Sequence, residues 1–166
     1  MNMSRTALFL DRDGVLNRER GEHTWRLNDF EVLPDVPVAL QRAQAAGILL
    51  VVITNQSGIG LGLYGHQDVE AVHGYLRSML AQHGVDLADI LYCPHHPSKG
   101  RCLCRKPGSL LLERAIARHD IDAASSCMIG DRDRDVEAAE GAGVRGILVP
   151  HNTPLLPVVE QQVLDA

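Results

Sequence analysis

Leu8-Phe9-Leu10-Asp11-Arg12-Asp13-Gly14 decides how this chain of 166 residues is read, because a short apolar run stops abruptly at two carboxylates one residue apart. Length and flanks make residues 6–10 a buried strand. At its carboxyl end the side chains at i and i+2 lean to the same side, so Asp11 and Asp13 face one site. Gly14 then lets the backbone turn sharply away. Carboxylates this close repel, and such a pair persists where a cation or a cationic side chain stands between them. A solvated acidic turn at a strand end is the plain alternative, and Asp-x-Asp by itself does not separate the two.

Further along, the same pattern recurs. Ile48-Leu49-Leu50-Val51-Val52-Ile53 is apolar throughout, as in a strand covered on both faces of a parallel sheet, and it ends in Thr54-Asn55-Gln56-Ser57. Ile90 to Cys93 is a third strand, and Cys127-Met128-Ile129 is a fourth that ends in Gly130-Asp131. Gly146 to Val149 is the last. Between them lie helical spacings. Val36, Leu40 and Ala43 predict a helix over 36–46, preceded by Asp35, with Pro37 in its first turn and Gly47 as its stop. Val69, Val72, Leu76, Met79 and Leu80 form an apolar face before Gly84. Leu111, Leu112, Ala115 and Ile116 mark a third helix, and Ala138, Ala139 and Ala142 a short fourth closed by Gly143. Residues 15–33 are polar and read as an irregular flap; the Pro-containing tail after Val149 is expected to lie on the surface.

Five strands alternating with four helices imply an α/β fold, a doubly wound, Rossmann-like parallel sheet with right-handed crossovers. Ligands of such sheets bind beyond the carboxyl ends of the strands, a rule that gathers Asp11, Thr54 and Asp131 from distant parts of the sequence.

Length and a hydrophobic content of 45% suit one well-packed domain, residues 1–166. A formal net charge of −5 and a pI near 5.9 argue against nucleic acid or an anionic membrane as partner. No apolar run is long enough to span a bilayer, and no apolar signal core precedes Asp11, so a soluble cytoplasmic protein, read as a monomer, is expected. In a reducing compartment disulfides are disfavoured, and Cys93, Cys102 and Cys104 cluster in a way that points to metal.

The converging strand ends deliver a carboxylate pair, a hydroxyl beside an amide, and the acidic cluster Asp131, Asp133 and Asp135. This set suits a phosphate and Mg²⁺, which takes one or two carboxylates and completes its shell with water and phosphate oxygens. Asp11 and Asp131 fit as ligands. Lys106, one of two lysines in the chain, opens the helix after the third strand, where a point cation would neutralise a phosphoryl group in flight. A solvated surface lysine is the alternative.

Four motifs in order, Phe9-Leu10-Asp11-Arg12-Asp13-Gly14, Val52-Ile53-Thr54-Asn55-Gln56-Ser57-Gly58, Cys104-Arg105-Lys106-Pro107 and Ile129-Gly130-Asp131, resemble those of haloacid dehalogenase superfamily phosphatases. The resemblance implies that Asp11 is a nucleophile giving an aspartyl-phosphate and that Asp13 is the acid and later the base. It also implies Mg²⁺ on Asp11, the Asp13 carbonyl and Asp131, with Thr54 and Lys106 on the phosphoryl oxygens. The chemistry agrees, since a carboxylate nucleophile splits hydrolysis into two easier displacements and a nearby acid protonates the leaving alkoxide.

Within that superfamily, Cys93-Pro94-His95-His96-Pro97 with Cys102-Leu103-Cys104 is similar to the zinc loop of two groups, the heptose-bisphosphate and the histidinol-phosphate phosphatases. The implied site is a closed Cys₃His zinc of Cys93, His95, Cys102 and Cys104. His96 is left out by family position, and Cys127 reads as a small buried apolar residue. The gap before Asp35 leaves no room for a large cap domain, so loops select the substrate. The candidates by family position are Glu19, Arg20, Gly21 and Glu22 in the flap, Asn55, Gln56 and Ser57, Arg105 and Arg132. The arginines suit a second phosphate. The Thr54 to Ile59 run and the cysteine loop favour a small phosphorylated sugar, the heptose bisphosphate, over histidinol phosphate. Two readings of other classes stand beside this one: a phosphoryl-accepting signalling domain, and a zinc-centred interaction module on an inactive phosphatase fold. An acid two residues after the nucleophile speaks against the first and the intact acidic and lysine set against the second.

Overall fold

The computed structural model describes residues 4–166. Five strands, β1 (Ala7–Leu10), β2 (Leu49–Asn55), β3 (Asp89–Cys93), β4 (Cys127–Gly130) and β5 (Arg145–Leu148), form one parallel sheet in the order β3-β2-β1-β4-β5. The connecting helices are α1 (Val36–Ala45), α2 (His66–Ala81), α3 (Leu110–His119) and α4 (Asp133–Gly141). β1, β4 and the Leu50–Ile53 stretch of β2 carry no charged or hydroxyl side chain because both of their faces are covered, whereas the edge strands β3 and β5 open with Asp89 and Arg145. Leu8, Leu10, Leu50 and Val52 point to the side of α1 and α2, while Ala7, Phe9, Val51 and Ile53 join Leu111, Leu112, Ala138 and Ala139 on the other. The period of two thus divides one sheet between two cores.

The chain runs outward from β1 to β2 and β3, then returns to place β4 on the far side of β1. This reversal opens a crevice between β1 and β4 at their carboxyl ends, the place where ligands of open α/β sheets bind. The Asp11 N–H donates to the Ile129 carbonyl at 3.0 Å, which extends the β1–β4 pairing to the threshold of the crevice.

Two expectations need correction. The tail is not a surface appendage: Leu155–Val158 forms a short helix, α5, continued by a π-helical stretch to Leu164, and Leu155, Val158 and Val159 are buried in the core beside α1. Asp35 precedes α1 as expected and stands at its N-cap position, but its side chain serves the tail: Oδ2 accepts from the Leu156 N–H at 2.7 Å and so holds the tail down. The flap is also less irregular than its polarity suggested. Its ends are buried through Val15, Leu16, Phe30 and Leu33, and the Leu16–Leu33 and Arg18–Glu31 backbone pairs, both 2.9 Å, close it into a hairpin-like loop. No large cap domain lies between β1 and α1, and no described helix is long and apolar enough to cross a membrane.

Candidate active site

Beyond the carboxyl ends of β1, β2 and β4 lies a polar cleft of about 280 Å³. Asp11 and Asp13 from the end of β1, Lys106 from the loop before α3, and Asp131 from the end of β4 line it. Lys106 is buried. Its Nζ donates to Asp11 Oδ1 at 2.9 Å and to the Ile53 carbonyl at 2.7 Å, and lies 2.7 Å from Asp135 Oδ1. The loop that carries it is fixed from β2: Asn55 Nδ2 donates to the Lys106 carbonyl and Asn55 Oδ1 accepts from the Lys106 N–H at 3.0 Å.

One lysine does not balance the carboxylates around it. Asp11, Asp131 and Asp135 each bring an oxygen within 4.8 Å of the others. Burial pushes the Asp11 carboxyl up to about 8; Lys106 pulls it down, Asp135 pushes it up again, and the upward pushes win. Asp131 is raised too, chiefly by burial, and its Oδ2 is buried without a hydrogen-bond partner among the described residues. A buried carboxylate oxygen left unsatisfied beside a second carboxylate is the chemistry a hard divalent cation completes. The space for it is kept by Gly14, whose φ of +89° excludes most side chains and whose α-carbon faces Asp131 so closely that a β-carbon would overlap that carboxylate.

Asp13 sits in the opposite electrostatic setting. Burial pushes its carboxyl up, but the Arg12 guanidinium, Asn17 and Gln56 outweigh that and hold it below the usual carboxylate range. Arg12 Nη2 and Asn17 Nδ2 donate to Oδ1 at 3.0 and 2.9 Å, and Gln56 Nε2 donates to Oδ2 at 3.1 Å. Gln56 is fixed in turn, because its Nε2 also donates to Thr54 Oγ1 at 2.9 Å and its Oε1 accepts from the Tyr64 hydroxyl.

The flap forms the far wall through Glu19, Gly21, Glu22, His23 and Thr24. The loop after β5 holds it: Asn152 Oδ1 accepts from the Glu19 N–H at 2.7 Å and Asn152 Nδ2 returns a bond to the Glu19 carbonyl. Three arginines, Arg105, Arg132 and Arg134, complete the lining, and Arg105 Nη1 is buried without a hydrogen-bond partner among the described residues.

At the cleft's edge the cysteine loop closes on itself. The Cys93 and Cys104 sulfurs are 3.2 Å apart, Cys93 and Cys102 3.7 Å, and His95 Nδ1 lies 3.2 Å from Cys104 and 3.5 Å from Cys93. A tetrahedral zinc with bonds of about 2.3 Å places its sulfurs ~3.8 Å apart, so these four atoms already stand near the corners such an ion requires. No disulfide links them. His96 points elsewhere and caps the Pro97–Lys99 turn, its Nδ1 accepting from the Ser98 N–H. Cys127 is buried in the core at the start of β4.

Most residues singled out from the sequence thus meet here. Two do not reach the cleft. Thr54 is fully buried beneath Gln56, and Arg20 turns toward Glu22 and Asp29 at 3.8 and 3.7 Å. Several functional neighbours escaped the sequence reading: Asp135 as the second partner of Lys106, Arg134, His23 and Thr24 in the lining, and the buried Arg12 with its contact His73 on α2. Asp135 carried a signal, since it lies four residues after Asp131 in the acidic cluster already assigned to this strand end.

Comparison with known proteins agrees with this geometry. The HAD-hydrolase-like family pattern matches residues 103–153, from the cysteine loop through β5. The chain is 36% identical over 95% of its length to the D-glycero-alpha-D-manno-heptose-1,7-bisphosphate 7-phosphatase of Photorhabdus laumondii, covering 89% of that protein. It is 40% identical over 86% of its length to the D-glycero-beta-D-manno-heptose-1,7-bisphosphate 7-phosphatase of Haemophilus ducreyi, covering 81% of it. The crystal structure of D,D-heptose 1,7-bisphosphate phosphatase from B. bronchiseptica, complexed with magnesium and phosphate, superposes with a TM-score of 0.87 at 32% identity, over 97% of this chain and 99% of that one. Identity at this level across nearly the whole length, together with the shared fold, establishes that the chain belongs to the haloacid dehalogenase-like hydrolases.

Proposed function

We propose that this protein is a Mg²⁺-dependent phosphatase that removes the 7-phosphate of D-glycero-D-manno-heptose 1,7-bisphosphate through an aspartyl-phosphate on Asp11. The observation that carries the reading is the placement of the Asp11 carboxylate against the buried ammonium of Lys106 at 2.9 Å, with the Asp13 carboxylate two residues on in the same cleft. The names of the relatives point to the same substrate and not to histidinol phosphate.

In this mechanism an Asp11 oxygen attacks phosphorus and the sugar alkoxide leaves with a proton from Asp13. Water, deprotonated by Asp13, then attacks the acyl phosphate and regenerates Asp11. Lys106, held between Asp11 and Asp135, meets the charge that develops on the phosphoryl oxygens. Thr54, buried under Gln56, serves by holding the floor on which those oxygens rest. Asp11, the Asp13 carbonyl and Asp131 would hold Mg²⁺, which supplies charge neutralisation and orientation of the phosphate. Asp13 is held ionised in the free protein, as its base role needs. Its acid role requires a proton taken up as the anionic phosphate arrives, because a nearby negative charge raises a carboxyl pKa.

Arg105, Arg132 and Arg134 would receive the second phosphate, with Glu19, Gly21, Glu22, Asn55, Gln56 and Ser57 around the sugar. A structural zinc on Cys93, His95, Cys102 and Cys104 would stiffen the loop that aims Arg105 and Lys106. We take all 166 residues as one domain acting as a monomer on a dissolved substrate, and the net charge of −5 supports a role away from nucleic acid.

The test is phosphate release from a panel of both anomers of heptose 1,7-bisphosphate, histidinol phosphate and other sugar phosphates. The expected result is a strong preference for a heptose bisphosphate, with the 1-phosphate retained in the product. A preference for histidinol phosphate, or loss of the 1-phosphate first, would overturn the assignment.

A further inference from the structure

Arg12 lies inside the Asp-x-Asp motif, yet it points away from the cleft and is completely buried. A buried guanidinium is costly unless its donors are met, and this one is bonded to three separate parts of the fold. Nη2 donates to Asp13 Oδ1 at 3.0 Å and to the Thr24 carbonyl of the flap at 2.6 Å. Nη1 faces His73 Nε2 of α2 at 3.3 Å. The guanidinium carbon lies 5.5 Å from the centre of the Phe30 ring, which restricts its plane from one side. Its Nε has no hydrogen-bond partner among the described residues, so the polar restraints on the guanidinium are those at Nη1 and Nη2. Arginine only donates, and the His73 nitrogen facing it is therefore the acceptor of a neutral ring. Burial, aided by the Arg12 charge, holds that ring neutral by lowering its pKa to about 3. The ring is itself held edge-on to Tyr92, with centroids 5.7 Å apart.

We propose that His73 is a positioning residue: its Nε2 sets the plane of the Arg12 guanidinium, which in turn aims the Asp13 carboxylate and ties the flap at Thr24 over the cleft. Without that acceptor the guanidinium turns to satisfy Nη1 elsewhere and carries Asp13 Oδ1 with it. A displacement of ~1 Å in a positioned group costs up to about a hundredfold in rate. The loss falls on proton donation to the leaving group, so its size depends on how much the leaving group needs the proton. The inference rests on the reading of Asp13 as that donor.

The test compares kcat/KM, which reports the first displacement, for an alkyl ester (heptose 1,7-bisphosphate, or a simple alkyl phosphate) and for p-nitrophenyl phosphate, whose phenolate departs without protonation. His73→Leu removes the acceptor and His73→Gln restores one. The expected result is a fall of about tenfold or more in the alkyl-to-aryl ratio for His73→Leu, with most of it recovered in His73→Gln. Arg12→Lys, which keeps the charge and loses the fork, should lower the ratio as His73→Leu does. Damage confined to the fold lowers both substrates by the same factor through a smaller active fraction, and an unchanged ratio in both variants would overturn the proposal. Asp13→Asn run in parallel separates the two levels of the argument. A lowered ratio there with unchanged ratios in the His73 and Arg12 variants removes the positioning role alone, and an unchanged ratio in Asp13→Asn removes the donor reading and the proposal with it.

Discussion

Replacing Asp135 by alanine deletes the second partner of a buried lysine, and the consequence follows from three contacts. Lys106 loses an ion pair of 2.7 Å, leaving Nζ with Asp11 Oδ1 and the Ile53 carbonyl. Deleting a hydrogen bond to a charged group costs about 1.5–3 kcal/mol. The same side chain caps α4, its Oδ2 accepting the Arg132 N–H at 3.0 Å, and loss of a cap costs about 1 kcal/mol. Relief of repulsion between Asp135 and Asp11 offsets part of this. The net destabilisation should be about 2–4 kcal/mol, or a fall in melting temperature of roughly 5–15 °C for a chain of this size. Asp135→Asn, which keeps the cap acceptor but not the charge, should fall between wild type and alanine. Burial pushes Lys106 down, but Asp11 and Asp135 raise it above 10.5, so this contribution is complete below that pH and is lost only as pH rises through the elevated folded value. Calorimetry of wild type and both variants at several pH values, without added Mg²⁺, reads all of this. An alanine variant within about 1 kcal/mol of wild type, or a gap that has already closed by about pH 9, would refute the reasoning.

Other outcomes follow from the same geometry. With its carboxyl raised to about 8 by burial and Asp135, Asp11 contributes stability to the metal-free protein below its ordinary 3.8, and that contribution is lost as pH rises toward 8. Mg²⁺ competes for the same site, so its affinity should strengthen by up to about tenfold per pH unit until pH ~8 and then level, while calorimetry in two buffers detects proton release. A flat affinity from pH 6 to 9 is the contrary result. Cys104→Ser should lose zinc, keep the far-ultraviolet signature of the sheet, and fall about a hundredfold in kcat/KM as Arg105 and Lys106 drift. Metal analysis of wild type should find close to one zinc per chain, and full activity in zinc-free protein would remove the loop's structural role. Asp35→Ala, which strips the Leu156 N–H of its acceptor, should cost about 1 kcal/mol and leave kcat unchanged; an unaffected melting temperature would show that the tail docks without it.

The sheet was legible because parallel strands buried on both faces leave continuous apolar runs, and the first, second and fourth runs stop at Asp11, Thr54 and Gly130-Asp131, which mark the carboxyl edge where the cleft lies. Strand limits moved by one or two positions, as β2 shows by continuing through Thr54 and Asn55 to pair with β3. The zinc cluster was legible because cysteines in a loop of Pro, Gly and Lys have no core to join. What remained hidden were contacts that defy the usual preference of a residue type. Arg12 and Asp135 belong to types that almost never lie fully inside unless paired, and nothing in a linear sequence announces a partner such as His73, 61 positions away. The tail was misjudged for a related reason: its prolines and short apolar spacing give no regular period, while its burial depends on Asp35, distant in sequence and spent on α5 instead of α1.

The central claim is the covalent intermediate on Asp11, and it is tested most directly by trapping. Protein mixed with substrate and Mg²⁺ is quenched in acid during turnover and reduced with borohydride, which converts an acyl phosphate to an alcohol and releases phosphate. Peptide mass spectrometry should then find homoserine at position 11 and unmodified aspartate at 13, 131 and 135, with no homoserine when substrate is omitted. Homoserine at another of these positions, or none in protein that is turning over under conditions where the acyl phosphate accumulates, would contradict the account.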